Sequence, residues 1–136
     1  MPGAEAVVAR ARLALGTRFR AQGRTLADGL DCIGLAAFAL EIPDDKVRRD
    51  YRLRGGDLAA LEAELSDLGL ARVDEGAPHA GGLAVFVPGP GQIHMGILTG
   101  TGLIHADALL RSVVERPGPP PWPLRGLWRL RDERRD

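Results

Sequence analysis

Ile93-His94-Met95-Gly96-Ile97-Leu98-Thr99-Gly100-Thr101-Gly102-Leu103-Ile104-His105-Ala106 reads as two β-strands joined by a tight turn. Two apolar runs flank Thr-Gly-Thr-Gly, and Gly100 can supply the positive φ that a short hairpin loop demands. With Gly100-Thr101 as a two-residue loop, Thr99 opposes Gly102 and Gly96 opposes His105. Side chains alternate between the two faces of a strand, so His94 falls on the same face as His105 and diagonal to it. Any even-sized loop keeps that parity, whereas an odd-sized one would part the two imidazoles.

Outward from this hairpin lie more short β-like runs: LARV (70–73), LAVFV (83–87), SVVE (112–115) and LWRLR (127–131). Gly118-Pro119-Pro120-Pro121-Trp122-Pro123 reads as a stiff extended connector. Pro88-Gly89-Pro90-Gly91-Gln92 precedes a strand and lacks the G-x-x-x-x-G-K spacing, so it is a turn and not a phosphate loop. The first half is different. Residues 4–15 read as a helix stopped at Gly16, and residues 16–29 as a long loop. Cys32 to Leu40, almost wholly apolar and preceded by Asp31 as N-cap, reads as a buried helix, with a short buried strand as the competing reading. Asp57 caps a further helix in which Leu58, Leu61, Leu65 and Leu68 recur at helical spacing before Gly69. Helices come first and an antiparallel sheet follows, which is the order of an α+β domain.

The chain has 136 residues, 45% of them apolar and 26% charged, enough for one domain (1–136) with a core of its own. Lysine plus arginine equals aspartate plus glutamate at 18 each, so the chain lacks the basic field of a nucleic-acid binder, and no direct nucleic-acid binding is expected. No apolar stretch approaches the roughly 20 residues of a membrane span, and Arg10 and Arg12 interrupt the start, so neither a span nor a secretion signal is expected. Cys32 is the sole cysteine, which excludes an intrachain disulfide and any multi-cysteine metal site.

A nucleophilic cysteine acts as thiolate, and the unpaired N–H groups of a helix N-terminus favour that form. Cys32 is placed for this, and an imidazole must come from His79, His94 or His105. His94 and His105 together fit a base and the group that orients it. The helix beginning at Cys32 must pack on the one sheet available, so both rings are expected on the face it covers. On spacing alone the plainer reading stays open: a buried cysteine as a small hydrophobe, and two histidines as polar surface residues. His79 reads as a solvated loop residue, and a zinc site of the three histidines lacks close ligand spacing. Asp31 reads as a cap and not an acid, because a carboxylate beside Cys32 opposes thiolate formation. Trp122 and Trp128 are read as packing on the core, with the lining of a groove as the alternative. The arginine-containing segment from Arg125 onward reads as solvated or docking.

Gly29-Leu30-Asp31-Cys32-Ile33-Gly34-Leu35, then Leu83-Ala84-Val85-Phe86, Ile93-His94-Met95-Gly96-Ile97 and Leu103-Ile104-His105-Ala106 resemble the NlpC/P60 cell-wall peptidase family. Within it the phage-type branch is most similar, the branch found in tails of phages and of phage-like gene transfer agents, where GTRFRAQGR (16–24) also has a counterpart. The resemblance spans residues 8–131. It implies a papain-like α+β fold and a cysteine peptidase that hydrolyses peptide bonds in peptidoglycan stem peptides. Cys32 matches the nucleophile, His94 the base and His105 the orienting third residue; Phe19 and Asp31 are the expected substrate-side residues, and no metal or cofactor is implied. The implied setting is the tail of a phage-like particle, docked on tail hub or baseplate proteins, made in the cytoplasm and acting on the cell wall. Two positions depart from the family pattern: Phe19 stands where tyrosine is frequent, and Gly82 where aspartate is. They favour the main alternative, a structural tail component of weak or no activity. An acyltransferase or amidase using the same three residues is the other alternative.

Overall fold

The computed structural model describes residues 3–47, 57–73 and 79–131. The charged end of the C-terminal segment, 132–136, lies outside them. In chain order the elements are α1 (Ala4–Leu13), β1 (Arg24–Thr25), β2 (Gly29–Leu30), α2 (Cys32–Leu40), a 3-10 turn (Asp44–Lys46), α3 (Leu58–Asp67), β3 (Leu70–Val73), β4 (Leu83–Phe86), β5 (His94–Leu98), β6 (Gly102–Asp107), β7 (Ser112–Pro117) and β8 (Leu124–Leu130). Among the described residues no helix is long and apolar enough to cross a membrane.

The hairpin forms as its sequence dictates. Ile97 pairs with Ile104 and Leu98 with Leu103, Thr99 N–H donates to the Gly102 carbonyl at 2.9 Å, and Gly100 has φ +97°. Around it grows an antiparallel sheet in the order β3-β8-β4-β5-β6-β7. The last strand therefore inserts between β3 and β4, an order that local sequence pattern does not encode. β8 also starts earlier than the run 127–131 suggests, at Leu124, with a register shift opposite Val85 and Phe86. The loop 16–29 is not plain coil: β1 pairs with β2, and Arg18 and Phe19 bridge to Ser112 and Leu30.

Strand alternation divides the apolar residues into two clusters. Leu83, Val85, Met95, Ile97, Ile104, Ala106 and Val113 meet Leu35, Ala39 and Leu40 of α2 and Val7 and Ala11 of α1 in the main core. Ala84, Phe86, Leu98, Leu103 and Leu127 form a smaller cluster, joined by Val73 and Trp122. α2 is buried along most of its length, which explains why it is nearly all apolar, whereas α3 buries only Leu65 and is amphipathic.

Two glycines of the recognised motifs have steric causes. A Cβ on Gly34 would sit 2.0 Å from the Gly23 carbonyl oxygen, so the loop before α2 lies directly on the helix. On Gly96 a Cβ would meet Leu103 Cδ1 at 2.6 Å and the Ile104 carbonyl at 2.9 Å, so β6 approaches β5 too closely for a side chain there. Backbone cannot swing aside as a side-chain tip can. Gly34→Ala is therefore expected to destabilise the protein by more than about 2 kcal/mol in urea denaturation. Gly3→Ala, which meets nothing within 4 Å, should stay within about 0.5 kcal/mol of the parent.

Candidate active site

α2 begins at Cys32 because Asp31 caps it, in extended conformation, with Oδ1 accepting from Gly34 N–H at 2.8 Å. Asp31 Oδ2 accepts from Gln22 N–H at 2.7 Å, and Arg24 Nη1 stands 3.5 Å from Oδ1. The carboxylate is thus consumed inside the protein, at 2% exposure, in fastening the 20s loop to the helix start. This is the capping role, with both carboxylate oxygens turned to the protein's own donors. Phe19 is half-buried against the main core, bridged to Leu30 through its backbone.

The backbone N–H groups of Cys32, Ile33 and Met95 lie near the Cys32 sulfur and favour its charged form. The Met95 amide belongs to the peptide that joins it to His94, so the sulfur lies beside the first residues of β5. Burial nevertheless pushes the thiol up to about 12, with the Asp31 charge adding to the rise; the three amides offset only part of it. The expectation that a helix N-terminus lowers this thiol is corrected here: Cys32 is 2% exposed, and loss of water outweighs the amide field.

His94 and His105 come together as the hairpin register requires, with His94 Nε2 and His105 Nδ1 2.9 Å apart and the rings edge to face. His94 Nδ1 makes no hydrogen bond among the described residues. Burial lowers His94 to about 4; His105 lowers it further, and Asp107 opposes both. His105, 2% exposed, is also lowered by burial, with Asp107 raising it and Arg116 lowering it.

The rings share a face, but not the expected one. Met95 and Ile97 point to α2, so His94 points the other way, with its cross-strand neighbour Phe86 and with Leu98 and Leu103. Trp122 packs on both rings, at 5.0 Å from His94 and 5.3 Å from His105. The thiol, in the main core near the Met95 amide, and the His94 imidazole therefore lie on different sides of the start of β5. Trp122 also lines a cavity of about 380 Å³ with Phe86, Leu98, Pro119, Leu124 and Leu127. Its contact with the histidines is the feature that sequence missed. A lone aromatic in a proline run carries no register, so only the three-dimensional path of the connector reveals it. His79 is exposed in its loop, and no cluster of three metal-ligating side chains occurs among the described residues.

A neutral, buried thiol reacts slowly with alkylating agents. Iodoacetamide at pH 7 should label folded Cys32 more slowly than a free thiol such as glutathione, with the rate rising as pH rises. Asp31→Asn keeps the cap acceptor and removes the negative charge, and should raise the rate severalfold. Faster labelling of the parent than of glutathione would mean a preformed thiolate.

No protein-family model matches the sequence, and no curated protein matches it. Solved structures do. The chain is similar to the NlpC/p60 domain of the peptidoglycan hydrolase SagA, at 24% identity and a TM-score of 0.57, over 85% of this chain and 90% of that one. It is also similar to the peptidoglycan hydrolase RipB from Mycobacterium tuberculosis, at 22% identity and a TM-score of 0.57, over 93% of this chain and 63% of that one. The fold of this chain, helices packed on an antiparallel sheet, is the fold of the NlpC/P60 hydrolases.

Proposed function

We propose that the protein is a cysteine peptidase that hydrolyses peptide bonds within the stem peptides of peptidoglycan. One observation carries the reading: a thiol at a capped helix start, beside the peptide that bears His94, whose imidazole is hydrogen-bonded at Nε2 to His105. The fold shared with two peptidoglycan hydrolases supports the substrate class. The tail of a phage-like particle, with hub or baseplate proteins as partners, is the setting carried by the sequence similarity of GTRFRAQGR and its companion motifs.

In this reading His94 Nδ1 takes the Cys32 proton as the sulfur attacks the scissile carbonyl. Negative charge moves to the carbonyl oxygen, where the backbone N–H of Cys32 is a donor. His94 then gives the proton to the departing amine, leaving a thioester that water hydrolyses. His105 holds the imidazole by its Nε2 and shares the positive charge that forms. Thiol, imidazoles and amides suffice for this chemistry.

Incubation with peptidoglycan sacculi, followed by mass spectrometry of the released muropeptides, should show new amino and carboxyl termini in the stem peptide. Cys32→Ala should abolish them, His94→Ala should reduce the rate about a thousandfold or more, and His105→Ala about ten- to a hundredfold. A second reading, a structural component of the tail, is favoured by the deep burial of Cys32. Equal inertness of the parent and Cys32→Ala, both free and in assembled particles, would establish it.

The pH profile tests the base. His94 must be neutral to accept a proton, and its lowered value moves the loss of the neutral form to acid. Cleavage should persist as pH falls through 6 and disappear near pH 4, the value to which burial takes His94. An acid limb at the ordinary histidine value would assign the base elsewhere.

A further inference from the structure

We propose that Trp122 is a positioning residue for the imidazole pair: carried on a strap pinned at both ends, its indole fixes the His94 ring against His105 and keeps water from the hydrogen bond between them. The proposal deepens the peptidase reading and rests on it.

The strap is residues 118–123, between β7 and β8. Pro119, Pro120, Pro121 and Pro123 fix their own φ angles and donate no hydrogen bond, so the segment stays outside the sheet; it bends at 118–119 and 121–122 instead of running extended as its proline content suggests. Gly118 N–H donates to the Thr101 carbonyl at 2.9 Å, fastening one end to the β5–β6 turn. Val87 N–H donates to the Pro123 carbonyl at 3.1 Å, fastening the other to the end of β4. Between these pins Trp122 is the one side chain long enough to reach back over the sheet.

What it reaches is specific. The indole meets His94 at 5.0 Å with ring planes at 80°, His105 at 5.3 Å and 73°, and Phe86 at 5.4 Å and 59°. The two imidazole contacts are edge-to-face, an arrangement in which aromatic rings attract, and the Phe86 contact is tilted. Since the indole touches both imidazoles, neither can rotate about χ2 without displacing it. Arg116 lies over the indole at 5.7 Å, and its buried Nε has no hydrogen-bond partner among the described residues, so packing on Trp122 holds that guanidinium. Trp128 makes the contrast: 5% exposed, it is spent in the main core, whereas Trp122 stays partly open and rests on two polar rings. The charged groups that act on the pair are Asp107 of β6 and Arg116 of β7.

The test uses the full chain labelled with nitrogen-15, with the histidine ring nitrogens followed by NMR against pH and assigned through His79→Gln and His105→Gln. Removing the indole admits water to the pair, so Trp122→Ala should raise the titration midpoint of His94 by about one unit or more. Trp122→Phe, which keeps a ring edge, should stay within about a third of that shift. On soluble stem peptides Trp122→Ala should lower kcat about tenfold with KM little changed, and Trp122→Phe should recover most of the loss. Should Trp122→Ala fail to fold, Trp122→Leu, apolar but without a flat edge, carries the same expectations. A folded Ala or Leu variant whose His94 midpoint does not move overturns the proposal, whatever its activity. Inertness of the parent on every stem peptide, with the NMR shift present, would overturn the peptidase reading and leave the positioning contact standing.

Discussion

The carboxylate of Asp31 is the constraint around which the site is built. A buried charge is tolerated only when its oxygens are fully engaged, and here the partners come from three directions: Gly34 N–H in the first turn of α2, Gln22 N–H in the preceding loop, and the Arg24 guanidinium. Arg24 also stands 3.4 Å from Asp44, past the far end of α2. One side chain thus locks the loop, the helix start and the turn that follows the helix. Cys32, the next residue, inherits a fixed position from this network, and Gly34 is required because the loop is drawn down until no Cβ fits.

The same network sets the chemistry of the thiol. Holding Cys32 near 12 instead of its ordinary 9.0 means that ionising it costs roughly 4 kcal/mol more than in water. Most of that comes from burial and the rest from Asp31, so the anchor that places the thiol also opposes its charge. The helix N-terminus is present as supposed, with amides of Cys32 and Ile33 turned to the sulfur, but an N-terminal field is worth at most about 2 kcal/mol. Burial wins on magnitude.

Much of this was legible in the sequence because the informative features are local. The cap at Asp31, the apolar run to Leu40, the leucines of α3 and the two-residue turn at Gly100-Thr101 each follow from neighbouring residues, and the hairpin carries its own register. That register was enough to bring His94 beside His105. The sheet order was not legible, since inserting β8 between β3 and β4 depends on contacts far apart in the chain. Nor was the face of the imidazoles: parity says that two side chains agree, but not which side the helices cover. Thiol burial depends on every element packed around α2, so a motif that names Cys32 does not give its protonation state.

The placement of the imidazoles opposite the helix core has a consequence for how the three residues work together. Were the rings packed beneath α2, they would lie among Met95, Ile97 and Ile104, in a layer with no opening for a peptide. On the other face, His94 retains partial exposure at the start of β5. A thiol kept neutral by burial and an imidazole kept neutral by its own burial form no ion pair at rest. In the proposed peptidase, proton transfer between them would be uphill until a carbonyl is present to take the electron pair, and the charge would appear only while substrate occupies the site. Such a pair would stay chemically quiet in the absence of substrate, so a slowly reacting resting thiol is compatible with the proposed peptidase.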